Sequence, residues 1–202
     1  NWRVQQRPCL MSAVRNFRQA WIRRMCEREN HVADATLISN LLRGALFLAS
    51  TTVFILGGLA ALLGTSSKVA DVIAQLPYAA PDAPQVAEIK ALILIFVFVY
   101  AFFKFTWSAW QYNVLSIMVG AMPAPGAPSP DLKAYSEAAA RVLALAGESY
   151  NNGMRAYYFS IPLMAWFHDP ILFLAVSVAI AHILYRREFN SPILVALQDV
   201  RP

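Results

Sequence analysis

Four cations placed beside long apolar runs have the clearest chemical potential in this sequence. Arg43, Lys104, Arg155 and Arg186 each fall close to one end of a hydrophobic segment. A charge in hydrocarbon is costly, so such a side chain either stretches to the headgroups or turns inward and holds an anion. The first role anchors a helix to anionic lipid. The second would line the inner mouth of an anion pathway, and Lys104 and Arg155 suit it best because aromatic or polar residues surround both. Glu148, Asn151 and Asn152 lie near the same level. Buried polar groups need partners, so these residues are candidates to satisfy Arg155 inside a helical bundle.

The histidines raise a second chemistry. Glu27, His31 and Asp34 follow i, i+4, i+7 spacing, which on a continuous helix gives one face and the beginning of a carboxylate–histidine metal site. His168 and His182 fall on one predicted span, where paired imidazoles of two parallel copies could hold haem. Against both stand the ordinary roles of a neutral imidazole at a turn or in a packed helix. Neither set has a second cluster of ligands, so no cofactor is assigned. No Gly-rich phosphate loop, nucleophile elbow or HExxH motif occurs. The residues therefore point away from an enzyme. Ser50, Thr51 and Thr52, inside the first apolar run, are expected to bond to carbonyls one turn back.

The elements that position these residues follow from hydropathy. Of the 202 residues, 58% are hydrophobic and only 14% charged, against roughly 25% charged in a soluble domain. No Asp, Glu, Lys or Arg occurs from Gly44 to Ser67, from Ala91 to Phe103, from Phe105 to Pro130, from Ala156 to His168, or from Pro170 to Tyr185. About 20 apolar residues cross ~30 Å of hydrocarbon as a helix. The predicted fold is all-α: an integral membrane helical bundle with about four spanning helices, a basic amphipathic surface helix, and a cytoplasmic helix before the third span.

In chain order, residues 1–36 form the basic segment. Its stripe of Leu10, Val14, Phe17, Trp21 and Met25 suits either a membrane surface or the protein's own cytoplasmic elements. Residues 37–64 make the first span, with Gly57, Gly58 and Gly64 offering a surface for close helix approach. An extracytoplasmic loop with a short helix occupies 65–87. A long helix over 88–122 crosses and projects into the cytosol. The Pro-rich linker and cytoplasmic helix cover 123–148, a transmembrane hairpin turning at His168 covers 149–185, and a cytoplasmic tail covers 186–202.

Orientation follows from Lys and Arg. Seven Arg in residues 1–36, two cations in 121–153 and three in the tail face two in the loop 65–90 and none at the His168 turn. The basic side is cytoplasmic by the positive-inside rule. Cys9 and Cys26 lie on that side, where a disulfide is not expected. The net charge of +5 sits beside hydrophobic spans, so its partner is anionic headgroups of the bilayer rather than nucleic acid.

Several segments are distinctive together: Trp21-Ile-Arg-Arg-Met25, Phe47-Leu-Ala-Ser-Thr-Thr52, Tyr100-Ala-Phe-Phe-Lys-Phe-Thr-Trp107, Gly153-Met-Arg-Ala-Tyr-Tyr158 and Leu184-Tyr-Arg-Arg-Glu-Phe189. With them the chain resembles domain-of-unknown-function family 599, multi-pass membrane proteins of bacteria and plants. The resemblance covers nearly the whole chain. It implies a membrane fold and one further hydrophobic helix ahead of the basic segment, with the native N-terminus outside; it implies no activity, cofactor or catalytic residue. These readings together place the chain in a bacterial inner (plasma) membrane with the basic N-terminal segment and the C-terminus cytoplasmic. The function they favour is non-enzymatic and works through assembly, as a homo-oligomer or an accessory subunit of a membrane complex. A small anion channel or transporter is the alternative, and a haem- or metal-binding protein the second alternative.

Overall fold

The computed structural model describes residues 9–64, 84–123 and 132–200, and every regular element among them is an α-helix. In order these are α1 (Leu10–Cys26), α2 (Val32–Leu63), α3 (Pro84–Gly120), α4 (Leu132–Ala165), α5 (Pro170–Phe189) and α6 (Pro192–Gln198). The short helix expected within 65–87 and most of the Pro-rich linker lie outside the described residues.

Among the described residues, three segments are long and apolar enough to cross a membrane: Val32–Leu63, Gln85–Gly120, and Pro170–Gln198, which holds α5 and α6. Four spans are expected from the hydropathy of the sequence. The one expected at the start of 149–185 is instead the second half of α4, a single 34-residue helix. Glu148, Asn151, Asn152 and Arg155 stud that stretch, so it is amphipathic rather than uniformly apolar. Tyr150-Asn151-Asn152-Gly153 does not interrupt it. Pro162 lies inside the helix one turn before its end, fully buried.

The helix termini have local causes. Asn30 accepts the Val32 N–H at 2.9 Å and starts α2. Asp169 accepts the Leu172 N–H at 3.1 Å and starts α5. Ser191 caps α6 at 3.1 Å through the Leu194 N–H, with Pro192 at the first helical position. Within α2, Thr51 and Thr52 donate to the carbonyls of Phe47 and Leu48 at 2.9 and 2.6 Å, as their place in an apolar run predicts.

The chain divides into two compact units. The apolar unit takes Arg43–Ala109 and Glu148–Ile180. Its core is Ala49 of α2, Ala101 and Phe105 of α3, and Ala156 of α4. Thr52 is fully buried beside them and shares a hydrogen bond of 2.7 Å with the Tyr157 hydroxyl. Phe98 and Phe105 both meet the Tyr157 ring edge-on at 5.4 Å between centroids, the geometry that aromatic quadrupoles favour.

The basic unit takes the described residues of Asn1–Leu42, Trp110–Gly147 and Ala181–Pro202. Ile22, Met25, Ile38, Leu115 and Leu143 are its largest fully buried apolar side chains, and α1 packs against α6. The buried side of α1 is Ala20, Ile22, Met25 and Cys26, rotated from the predicted stripe. Val14, Phe17 and Trp21 of that stripe are only half-buried.

Candidate functional site

The apolar unit holds the site with the most to offer a ligand. Helices α3 and α4 run antiparallel there, since Lys90 meets Trp166 while Phe105 meets Tyr150. Close approach depends on Gly153, where a Cβ would stand 2.6 Å from the Phe105 ring. Beside this contact the two helices leave an open, almost wholly apolar groove of about 330 Å³, lined by Phe96, Val97 and Tyr100 of α3 and by Asn152, Arg155, Ala156 and Phe159 of α4. Arg155 is exposed along it. The Lys104 ammonium sits 5.4 Å from the centre of the Tyr100 ring, a cation–π contact that brings a second positive charge to the Tyr100 end.

Of the four cations singled out by their level, Arg155 lines this groove, Lys104 lies against one of its lining rings, and the other two do neither. Arg43 is exposed on α2 of the same unit, and Arg186 is exposed on α5 in the basic unit. Glu148, the expected partner of Arg155, is exposed, while Asn151 and Asn152 are half-buried.

Among the described residues the most deeply buried cation is one outside that set of four. Lys90 is 4% exposed, donates to the Trp166 carbonyl at 2.9 Å and lies 5.1 Å from the centre of the Trp166 ring. It fastens the start of α3 to the turn after α4. Its signal in the sequence was Glu88-Ile-Lys90 running directly into an apolar helix.

The metal arrangement suggested by Glu27, His31 and Asp34 loses its geometric premise. Helix α1 ends at Cys26 and α2 begins at Val32, so the three do not share a helical face. Asp34, 1% exposed, instead accepts the Trp21 indole N–H at 2.6 Å and pairs with the Arg28 guanidinium at 3.1 Å. His31 presents a buried Nδ1 without a hydrogen-bond partner. His168 lies in the turn after α4, also with a buried unpartnered Nδ1, whereas His182 is exposed on α5. Their pairing along one continuous span therefore does not arise. Among the described residues no group of three or more His, Cys, Asp or Glu is placed to hold a metal ion.

The basic unit has a cleft of its own, about 430 Å³, lined by Gln19 and Arg23 of α1 and by Lys133, Ser136, Glu137 and Arg141 of α4. All three cations are exposed, and Glu137 offsets one of them. Nearby, burial pushes the Cys26 thiol above its ordinary pKa; a backbone hydrogen bond opposes part of this and Glu27 adds a smaller upward push. Tyr135 is raised as well, by burial and then by Cys26, and its hydroxyl donates to the Met118 carbonyl. A protonated thiol is a poor nucleophile, so Cys26 belongs to the packing.

No curated protein and no solved structure matches this chain. The family model for "Protein of unknown function, DUF599" matches residues 1–193, and the chain belongs to that family.

Proposed function

We propose that this protein is a non-enzymatic membrane protein that works through assembly, as a homo-oligomer or as a subunit of a larger membrane complex. The observation that carries the reading is the glycine surface of α2. A Cβ built on Gly44, Gly57 or Gly58 meets no atom within 4 Å. Among the described residues these glycines are therefore not used for close packing, in contrast to Gly153. Within a bilayer, small residues are where a second helix approaches, because van der Waals contact and not the hydrophobic effect drives association there. Large apolar side chains flank the glycines outward, with Val53 52% and Phe54 81% exposed. In this reading the basic unit faces the cytoplasm, and the inner membrane holds the apolar unit, in which the second half of α4 runs back alongside α3.

Extraction in a mild detergent followed by mass measurement tests it. A multiple of the chain mass, or a stable co-purifying subunit, is the expected result. Gly57→Ile with Gly58→Ile should convert that species to the single chain. A wild-type protein that is strictly monomeric in several mild detergents and in lipid nanodiscs rules the reading out.

The anion-pathway alternative draws support only from Lys104 and Arg155. Exposed Arg43 and Arg186 suit headgroups better than a pore lining, and flux in reconstituted liposomes that falls in Lys104→Ala or Arg155→Ala would restore it.

A further inference from the structure

We propose that the groove between α3 and α4 is a binding site for one anionic phospholipid, with an acyl chain along Phe96, Tyr100 and Phe159 and the phosphate at Arg155 and Lys104. This goes beyond assembly, and a monomer would bind the lipid equally.

Shape separates the occupants. A second helix needs small residues beneath it, but this groove is walled by aromatic rings: Phe96 is 74% exposed, Tyr100 44% and Phe159 47%. Rings that stand out from two helices leave a narrow channel between them, suited to a flexible hydrocarbon chain. Its volume of about 330 Å³ lies at the lower end of the ~300–1,000 Å³ typical of ligand sites. A soluble anion would use only the cationic end and leave the apolar lining without a partner.

Charge places the headgroup. Because α3 and α4 are antiparallel, Phe159 lies toward Phe96, while Asn152 and Arg155 lie toward Tyr100, and all of them line the groove. Lys104 follows Tyr100 one turn along α3, and its ammonium lies back over the Tyr100 ring. The apolar channel thus has a cationic end and an aromatic end. Two cations with a guanidinium fork match a phosphodiester, and Asn152 adds an amide for the glycerol oxygens. A zwitterionic lipid would bring its own ammonium to the same cationic end and be disfavoured.

The test is native mass spectrometry of the purified protein released from mild detergent containing equal amounts of phosphatidylglycerol and phosphatidylcholine. One retained phosphatidylglycerol per chain is expected, in preference to phosphatidylcholine. Near a membrane surface each Lys or Arg is worth about fivefold in binding. Arg155→Gln and Lys104→Gln should each lower the preference by about that factor, and Arg155→Lys, which keeps the charge but not the fork, should lower it less than Arg155→Gln, which guards against loss of fold. Phe159→Trp, which narrows the channel, should lower retention of both lipids and leave the preference intact. Equal retention of the two lipids by the wild type overturns the proposal, as does an unchanged preference in the double variant K104Q/R155Q. Displacement of the lipid by millimolar inorganic phosphate also overturns it, since the site would then be one for free anions. The same spectra report oligomeric mass separately, so failure of the lipid site and failure of assembly are told apart.

Discussion

Gly147 and Gly153 sit six positions apart on α4 and answer to different rules. At Gly153 a Cβ would stand 2.6–2.9 Å from the Phe105 ring, and that ring is fully buried and held edge-on by Tyr150 and Tyr157. At Gly147 a Cβ would meet the Arg18 guanidinium at 2.2–2.4 Å, the far end of a side chain only half-buried. Gly153 belongs to the apolar unit, where helices touch through rings and small residues. Gly147 belongs to the basic unit, where charged side chains drape over the backbone and can move. One helix thus serves two packing regimes, and the neighbour's freedom, rather than the glycine itself, decides what each position tolerates.

The comparison breaks most visibly with Gly153→Leu. Overpacking costs about 1–3 kcal/mol, and the upper figure is expected here because neither helix nor ring can yield. Thermal unfolding in detergent measures it, and Phe105→Ala in the same chain should recover part of the loss. An unchanged midpoint for G153L alone would mean that α3 and α4 are not in close contact.

Next in size is Asp34→Ala in the basic unit. The change removes the acceptor for Trp21 and the partner of Arg28. Arg28 is 48% exposed, so its share is discounted for screening. The buried indole bond to a charged acceptor carries most of an expected loss of about 2 kcal/mol. Hydrogen exchange should show α1 opening while the amides of α3 near Phe105 stay protected. Equal loosening of both would erase the distinction between the units.

Gly147→Ala has the opposite sign. The guanidinium swings aside, and replacing a mid-helix glycine gains about 1 kcal/mol of helix propensity. A modest rise in stability is expected, and a loss as large as that of G153L would show Arg18 to be fixed.

The smallest effect is a pH dependence of Cys26. Its pKa is raised in the folded state from 9.0, so above pH about 9 the unfolded chain gives up this proton more readily. Stability from this group is intact below that pH and falls as pH rises through it. Maleimide labelling of Cys26 should be slow at neutral pH and accelerate in Asp34→Ala, whereas half-buried Cys9 labels in both.

How much of this could be read from the residues follows the same division. The long apolar helices α2 and α3 are legible because hydrocarbon selects for uninterrupted hydropathy. The four-span count exceeds the three long apolar segments at α4, because the charge-free run from Ala156 to His168 reads as a span until it is seen to continue a helix that carries Glu148, Asn151, Asn152 and Arg155. The end of α1 was hidden for another reason: Glu27-Arg28-Glu29-Asn30 contains neither Gly nor Pro, and only Asn30 hinted at a new helix start. Helix α6 falls within the segment that reads as tail, although Ser191-Pro192, a cap followed by a first-turn proline, marks its start. Of the proposed lipid site, Lys104 and Arg155 stood out by charge. The channel between them did not, since it requires knowing which aromatic side chains face each other across two antiparallel helices.

The contact between α1 and α6 has a consequence in time. The Met11 N–H donates to the Glu188 carboxylate at 3.2 Å across a separation of 177 residues, and α6 packs on the same early helix. During synthesis, at ~5–20 residues per second, α1 emerges many seconds before the segment that completes its seat. Until then its apolar side must shelter elsewhere, so a ribosome stalled before Pro192 should display a protease-sensitive α1 on spans that have already inserted.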